Sequence, residues 1–422
     1  MYLLTGAIHT AGSRTPDLNR YLAGFVSPGS KKKRTRAITV PCDGYAIPWY
    51  SNEFWTAGQR QASSIHEVSY RACFKPQLPR FFIRLLTKKG DIVYDPFSGR
   101  GTTVIEAGLF LRNVIANDAN PLSRVMTEPR FFPPTVAAVE RHLLGIPRDG
   151  EPLDIDLSMF YHVNTEREIA AIRAYLCRRR EQGSEDAIDR WIAMVATNRL
   201  TGHSPGFFSV YTLPPNQAVS KKSQTRINVR RRQVPEYRDT HRLIAKKTKS
   251  LLRTLTGPQT RALNFTGKRA RFFTCDARET PEIPDDTVQL TVTSPPFLDI
   301  VQYHDDNWLR CWFNGLESDA IGKIITMART VDGWTAVMAD VFRELYRVTA
   351  PGGWVAFEVG EVRKGTVRLE EHVVPLGITA GFSCKAVMIN SQAFTKTSHI
   401  WGVDNMGCGT NTNRIVVFKK EP

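Results

Sequence analysis

Ile92-Val93-Tyr94-Asp95-Pro96-Phe97-Ser98-Gly99-Arg100-Gly101-Thr102-Thr103 reads as a short strand, a tight glycine turn and the start of a helix that runs through Val104 to Leu111. Glycine has no Cβ, so Gly99 and Gly101 let the backbone turn sharply and approach a ligand closely. The unit fits a doubly wound, mostly parallel α/β sheet, with the turn at the carboxyl end of a strand.

Working outward, a second apolar run, Val288 to Val292, ends in Thr293-Ser294-Pro295-Pro296-Phe297. Proline fixes its own backbone angle and restricts the residue before it. Ser294-Pro295-Pro296 is therefore expected to be a stiff, extended loop whose outward carbonyls offer acceptors to an amino group.

Together these two stretches resemble the S-adenosylmethionine-dependent DNA amino-methyltransferases, specifically the cytosine-N4 branch, whose catalytic loop reads Ser-Pro-Pro-aromatic. Adenine-N6 relatives usually carry Asp or Asn at the first position. The resemblance implies a Rossmann-like class I methyltransferase sheet, S-adenosylmethionine as cofactor, and double-stranded DNA as the partner. It gives the catalytic role to Ser294, Pro295, Pro296 and Phe297, with Phe297 stacking on a base flipped out of the duplex. Cofactor contacts fall to Asp95, Pro96, Phe97, Gly99, Gly101 and Thr102 in the glycine turn. In Ala116-Asn117-Asp118-Ala119-Asn120-Pro121, Asp118 would bind the ribose hydroxyls. In Cys275-Asp276-Ala277-Arg278, Asp276 would meet the adenine amino group. Phe74 and Pro76 lie in Tyr70 to Pro79, which resembles the segment that closes over the methionine end of the cofactor. Arg347 to Phe357 resembles the helix, turn and fifth strand of these folds, and Asn413 to Phe418 a final strand. A restriction-modification setting, with a cognate restriction endonuclease as partner, is compatible with the resemblance.

Many Ser-Pro-Pro-aromatic enzymes place the catalytic loop first, whereas here the cofactor loop precedes it. The long separation of Gly101 from Ser294 leaves room for an inserted module at about 151–270, the expected place for target recognition. Composition supports this. The chain has 57 Lys+Arg against 41 Asp+Glu, a net charge of +16 and a pI near 9.6. Lys221 to Arg271 holds sixteen basic residues and only Glu236 and Asp239 as acids, a concentration that suits a phosphate-binding surface. Lys221, Lys222, Arg226, Arg230, Arg231, Arg232, Lys246 and Lys247 are the candidate DNA contacts. Apolar spacing in Ile169-Ala170-Ile172-Leu176 and Ile188-Ile192-Val195 predicts helices within the insert.

Thr201 to Gln217 is rich in aromatic, amide and hydroxyl groups. Asn216 and Gln217 have the donor and acceptor pair that suits adenine; Phe207, Phe208 and Tyr211 suit either DNA contact or a small core. Lys31-Lys32-Lys33-Arg34 reads as an arm over phosphates or as a solvated loop.

Seven cysteines without a Cys-x-x-Cys pair indicate neither a zinc module nor a disulfide framework, and no metal is expected. Pro41-Cys42 precedes the cofactor loop, the wrong order for the nucleophile of a cytosine-C5 enzyme. Met1 to Ile8 is short and mixed, and no apolar stretch reaches the roughly 18 residues a membrane span needs, so a cytoplasmic, DNA-associated protein is expected. The methyltransferase domain is read as 66–150 and 271–422, with 1–65 an extension of unassigned role. Adenine-N6 methylation, RNA methylation and a non-catalytic DNA-binding role stand as alternatives.

Overall fold

Alternating apolar residues build the centre of this protein, which a computed structural model describes at residues 17–27, 32–56, 62–70, 73–212, 218–296, 303–317, 321, 328, 330–362, 367–391 and 412–422. The strands are β1 (Arg36–Cys42), β2 (Tyr45–Asn52), β3 (Ile92–Asp95), β4 (Asn113–Asn117), β5 (Arg271–Phe273), β6 (Val288–Thr293), β7 (Thr349–Val359), β8 (Glu361–Val362), β9 (Val367–Arg368), β10 (Ser383–Ser391) and β11 (Thr412–Lys419). The helices are α1 (Leu18–Ala23), α2 (Gln77–Leu86), α3 (Thr102–Leu109), α4 (Leu122–Thr127), α5 (Val136–Leu144), α6 (Val163–Glu181), α7 (Ala187–Arg199), α8 (Lys221–Arg231), α9 (Thr240–Leu252), α10 (Gly257–Gly267), α11 (Tyr303–Asn314), α12 (Val331–Val348) and α13 (Leu369–Thr379).

Among the described residues nine strands form one sheet in the order β1-β2-β10-β11-β7-β6-β3-β4-β5. Pairing is parallel from β5 through β4, β3 and β6 to β7; β11 runs antiparallel between β7 and β10. This is the doubly wound sheet expected from the sequence. From β3 the chain goes one way to β4 and β5 and later the other way to β6 and β7. The carboxyl end of β3 is thus a topological switch point, where open α/β sheets bind ligands.

Strand alternation divides the core into two faces. Val93, Leu290, Val292, Ala356 and Val417 point to the face packed with α2, α3 and helices α6, α7 and α9. Tyr94, Val355, Phe357, Val416 and Phe418 point to the face covered by α12 and α13. Each fully buried apolar side chain of this kind contributes about 1.5–3 kcal/mol.

The sheet also takes in β1 and β2, from the segment whose role the sequence left unassigned. β2 adds in parallel to β10, with Ile47 and Trp49 buried on one face and Tyr50 on the other. Beyond β2 the Asn390 Oδ1 accepts the Phe54 and Trp55 N–H groups at 2.8 and 3.2 Å, which ties the departing chain to the end of β10. Helices α6, α7 and α9, which lie between β4 and β5 in the chain, share the first core, Trp191, Ile192 and Ile244 being fully buried there. α10 packs on α3, with Leu263 and Phe131 against Gly108, as the crossover helix between β4 and β5.

Candidate active site at the switch point

The glycine turn between β3 and α3 is shaped by its neighbours. Gly101 sits at φ +72°, and a Cβ built there would lie 2.3 Å from the Thr127 side chain, so both conformation and space demand glycine. Gly99 is at φ +51°, and a Cβ built there would lie 3.5 Å from the Tyr70 ring. The Gly101 N–H donates to the Ser98 carbonyl at 2.6 Å. Arg100 spreads sideways, its guanidinium donating to the Val68 carbonyl at 2.8 Å and the Phe74 carbonyl at 3.4 Å. That links the turn to the Tyr70 to Pro79 segment, in which Pro76 precedes α2 as its cap.

Asp118, just beyond β4, accepts the Gly99 N–H at 2.8 Å and the Asn120 N–H at 2.9 Å. Its carboxyl is pushed up to about 6 by burial, against the pull of those two bonds. Beside it the Ser98 Oγ and the Asn120 Nδ2 are buried without a partner among the described residues. Buried polar groups of this kind normally have a partner, so their pairing here is left to a ligand or water.

Asp95, at the end of β3, is 2% exposed. It accepts the Thr293 hydroxyl at 2.7 Å and the Phe97 N–H at 3.2 Å, while the Thr103 hydroxyl donates to the Val292 carbonyl at 3.0 Å. Two hydroxyls therefore join the glycine turn to the strand that carries Ser294. Burial raises the Asp95 carboxyl to about 7, with the Asp118 charge adding to the rise. The unfolded value is near 3.9, so the stability contributed by the neutral form is present below about pH 4 and is lost as pH rises through 7. Asp95→Asn should flatten that part of a urea-midpoint profile; a variant curve parallel to the parent between pH 4 and 7 would refute the assignment.

The Ser294 loop is held on three sides. Thr293 is fixed by Asp95, as described. The buried Glu358, at the end of β7, accepts the Asn413 amide at 3.0 Å; burial raises its pKa, with the neighbouring Ser294 hydroxyl and the Asn413 amide opposing the rise. The Trp334 indole N–H donates to the Pro296 carbonyl at 3.0 Å. Among the described residues no donor meets the Pro295 carbonyl. Phe297 lies outside the described residues.

Asn117 was not singled out by the sequence, yet it joins the loops. Its amide donates to the carbonyls of Pro96 and Cys275 at 3.3 and 3.0 Å, and its Oδ1 accepts the Cys275 N–H at 2.9 Å. Asp276 follows directly. Burial opposes ionisation of Asp276, but the Arg278 guanidinium, at 2.6 Å, outweighs it and holds the carboxyl below its ordinary value. Phe97 is half-buried, and Thr102 is buried with its Oγ1 accepting the Arg100 Nε–H at 3.2 Å. The overlooked signals were a single acid in the apolar run Trp354 to Val359 and a single amide beside Asp118.

Of the basic candidates, Lys222, Arg226, Arg230, Arg231, Arg232 and Lys246 are exposed, Lys221 is half-exposed, and Arg231 lies over the Tyr211 ring at 3.8 Å. Lys247 differs: its amine donates to the Glu67 carbonyl at 2.5 Å, and burial lowers its pKa to about 8. Phe207 and Phe208 are core residues, 5% and 1% exposed, with the Arg199 guanidinium stacked on Phe207 at 3.9 Å. Asn216, Gln217 and Lys31 lie outside the described residues; Arg34 forms a bridge with Val26 and the Lys33 carbonyl accepts the Ser27 N–H at 3.0 Å, so this end of the basic run is held against its neighbours. His142, Asp186 and Asp189 come together around the amino end of α7, where Asp186 and Asp189 form a capping box and Arg179 and His142 bind Asp189. No helix among the described residues is long and apolar enough to cross a membrane.

Residues 29–122, which include β1 to β4 and the glycine turn, match the DNA methylase family model. The type II methyltransferase M.MjaII of Methanocaldococcus jannaschii is 26% identical over 104 residues, 24% of this chain and 20% of that protein. The chain thus spans about a fifth of that relative's length. Among solved structures, TTHA0409 of Thermus thermophilus, described as a DNA modification methylase and solved with S-adenosyl-L-methionine, aligns at 21% identity. That alignment covers 35% of this chain and 54% of the other, with a TM-score of 0.22. The geranyl diphosphate C-methyltransferase of Streptomyces coelicolor A3(2) aligns at 8% identity over 81% and 78%, with a TM-score of 0.34.

Proposed function

We propose that this chain is an S-adenosylmethionine-dependent DNA methyltransferase that modifies the exocyclic N4 of cytosine in double-stranded DNA. The observation that carries the reading is the Ser294 loop, held at the switch point beside the glycine turn with one carbonyl unclaimed among the described residues. The DNA methylase match over residues 29–122 supports the cofactor class and the nucleic-acid substrate. The residues fit the cofactor: Gly99 and Gly101 clear the backbone, Asp118 is an acceptor for ribose hydroxyls, and Ser98 and Asn120 supply unpaired polar groups.

The cofactor supplies an electrophilic methyl group. The protein must supply the rest, because the lone pair of the cytosine amine is delocalised into the ring. Ser294 can accept an amino hydrogen only if its own proton points elsewhere. Glu358 is placed to meet that need: its carboxyl group, beside the Ser294 side chain, would accept the hydroxyl hydrogen bond and leave the oxygen lone pairs facing the base. The Pro295 carbonyl accepts the second amino hydrogen. Two acceptors on one nitrogen draw its lone pair out of the ring and orient it for direct transfer, a matter of positioning and electrostatics. The base leaves the duplex at a cost of a few kcal/mol, part of which stacking on Phe297 offsets.

Serine at 294 favours cytosine N4; adenine N6 is the second reading, because the same loop serves either amino group. A cognate restriction endonuclease belongs to the same proposal. The test is transfer of labelled methyl from S-adenosylmethionine to duplex DNA, followed by nucleoside digestion and mass spectrometry. N4-methylcytosine is expected, N6-methyladenine would overturn the base assignment, and label in RNA alone would overturn the substrate. Asp118→Ala should weaken cofactor binding by about tenfold or more in calorimetry while duplex binding persists; equal cofactor affinity would remove the ribose role.

A further inference from the structure

Helix α8 carries Lys221, Lys222, Arg226, Arg230 and Arg231 and no acid. Lys222, Arg226 and Arg230 recur every four residues, one above the other, and all are exposed. Like charges at this spacing destabilise a helix, and two lysines in the first turn oppose the helix dipole. The arrangement therefore costs stability until an anion meets it.

Amides on the inner face hold the helix in place. Gln224 donates to the Tyr211 carbonyl at 3.1 Å, Asn228 to the Met159 carbonyl at 2.8 Å, and Gln233, just past the helix, to the Tyr211 carbonyl at 2.8 Å. The outer face takes no part in this. Beside the cationic row runs a second exposed row, Thr225 and Val229, with Val229 75% exposed. A valine gains nothing from a phosphate. At the start of the helix the Val219 carbonyl accepts the Trp308 indole N–H at 3.3 Å, and Trp308 belongs to α11, the helix that follows the Ser294 loop in the chain.

We infer that α8 is the base-reading helix of the DNA complex. It lies in the major groove with Lys222, Arg226 and Arg230 on phosphates and with Thr225 and Val229 on base edges, the valine against a thymine methyl. The inference rests on the DNA reading above and deepens it. Eleven residues make a helix about 16 Å long, and a groove about 12 Å wide admits a helix. An apolar contact with the thymine methyl is how a valine distinguishes base pairs there.

The test is binding selection from a random-sequence duplex pool, which needs no methyl transfer. The parent should enrich a motif with thymine at a fixed position. Val229→Ala and Thr225→Ala should lose about tenfold of the preference at that position and its neighbour. Arg226→Ala should weaken all sequences alike and lower the salt slope by about 1. A Val229→Ala pool matching that of the parent, or a parent that enriches no motif, would overturn the proposal. Methylated DNA with a motif indifferent to Val229 leaves the enzymatic reading standing and removes this one. A motif dependent on Val229, without methyl transfer, does the reverse.

Discussion

Ser294→Ala is expected to lose about 10²–10³ of turnover while cofactor affinity and duplex affinity stay within about twofold of the parent. The reason lies in what the hydroxyl touches. On the proposed reading its proton is directed to Glu358, which leaves the oxygen as an acceptor just past the end of β6. The neighbours that fix the loop, Asp95 through Thr293 and Trp334 through the Pro296 carbonyl, do not depend on the Ser294 side chain. The variant should keep the loop and lose one of two acceptors. Removing one group that acts only as charge develops lowers kcat and kcat/KM together, without changing ground-state binding. Single-turnover rates with pre-bound DNA are the measurement. Parent-like turnover would remove Ser294 from the chemistry, and a rise in KM alone would make it a ground-state contact.

The glycine turn was legible in the sequence because its determinants are local: apolar residues, an acid and two glycines within twelve positions. The strand that carries Ser294 was legible for the same reason, since its apolar run Val288 to Val292 is local. What secures the loop was hidden. Trp334 and Glu358 reach it across separate strands and helices, and a single chain without register does not reveal that β6 and β7 pair with Thr293 opposite Phe357. The pairing of β2 with β10 joins residues more than 300 positions apart, which explains why the segment before residue 66 had no evident role. Charge was read well in aggregate and less well residue by residue. The concentration of cations around α8 is exposed, yet Lys247, from the same stretch, lies against Glu67. Composition fixes the sign of a surface; only packing determines which cations face outward.

The other large effect lies beneath the turn. Glu106, fully buried on α3, accepts His66 Nε2–H at 2.8 Å and two bonds from the Arg80 guanidinium at 2.9 and 3.0 Å. Burial lowers the His66 pKa against the pull of Glu106, and its Nδ1 has no partner among the described residues. Burial would raise the Glu106 carboxyl, but His66 and Arg80 outweigh it and hold it below its ordinary value. The three groups tie α3, whose first residue follows Gly101, to α2 and to the turn Ser64–His66. Glu106→Gln keeps the volume and removes the charge that Arg80 and His66 face. Breaking a buried pair from one side costs about 3–5 kcal/mol, and the lower end applies because the Arg80 side chain is 27% exposed. A urea midpoint at pH 7 should fall accordingly, and cofactor affinity should fall with it because the turn rests on α3. The sign with pH is fixed. A carboxyl with a depressed folded pKa stabilises above its unfolded value, near 4.3, and loses that contribution as pH falls through the folded one. The deficit of the variant should therefore be full at pH 7 and shrink below about pH 4. An unchanged midpoint at neutral pH, or a deficit that grows in acid, would show that Glu106 does not hold α3 in the way the geometry implies.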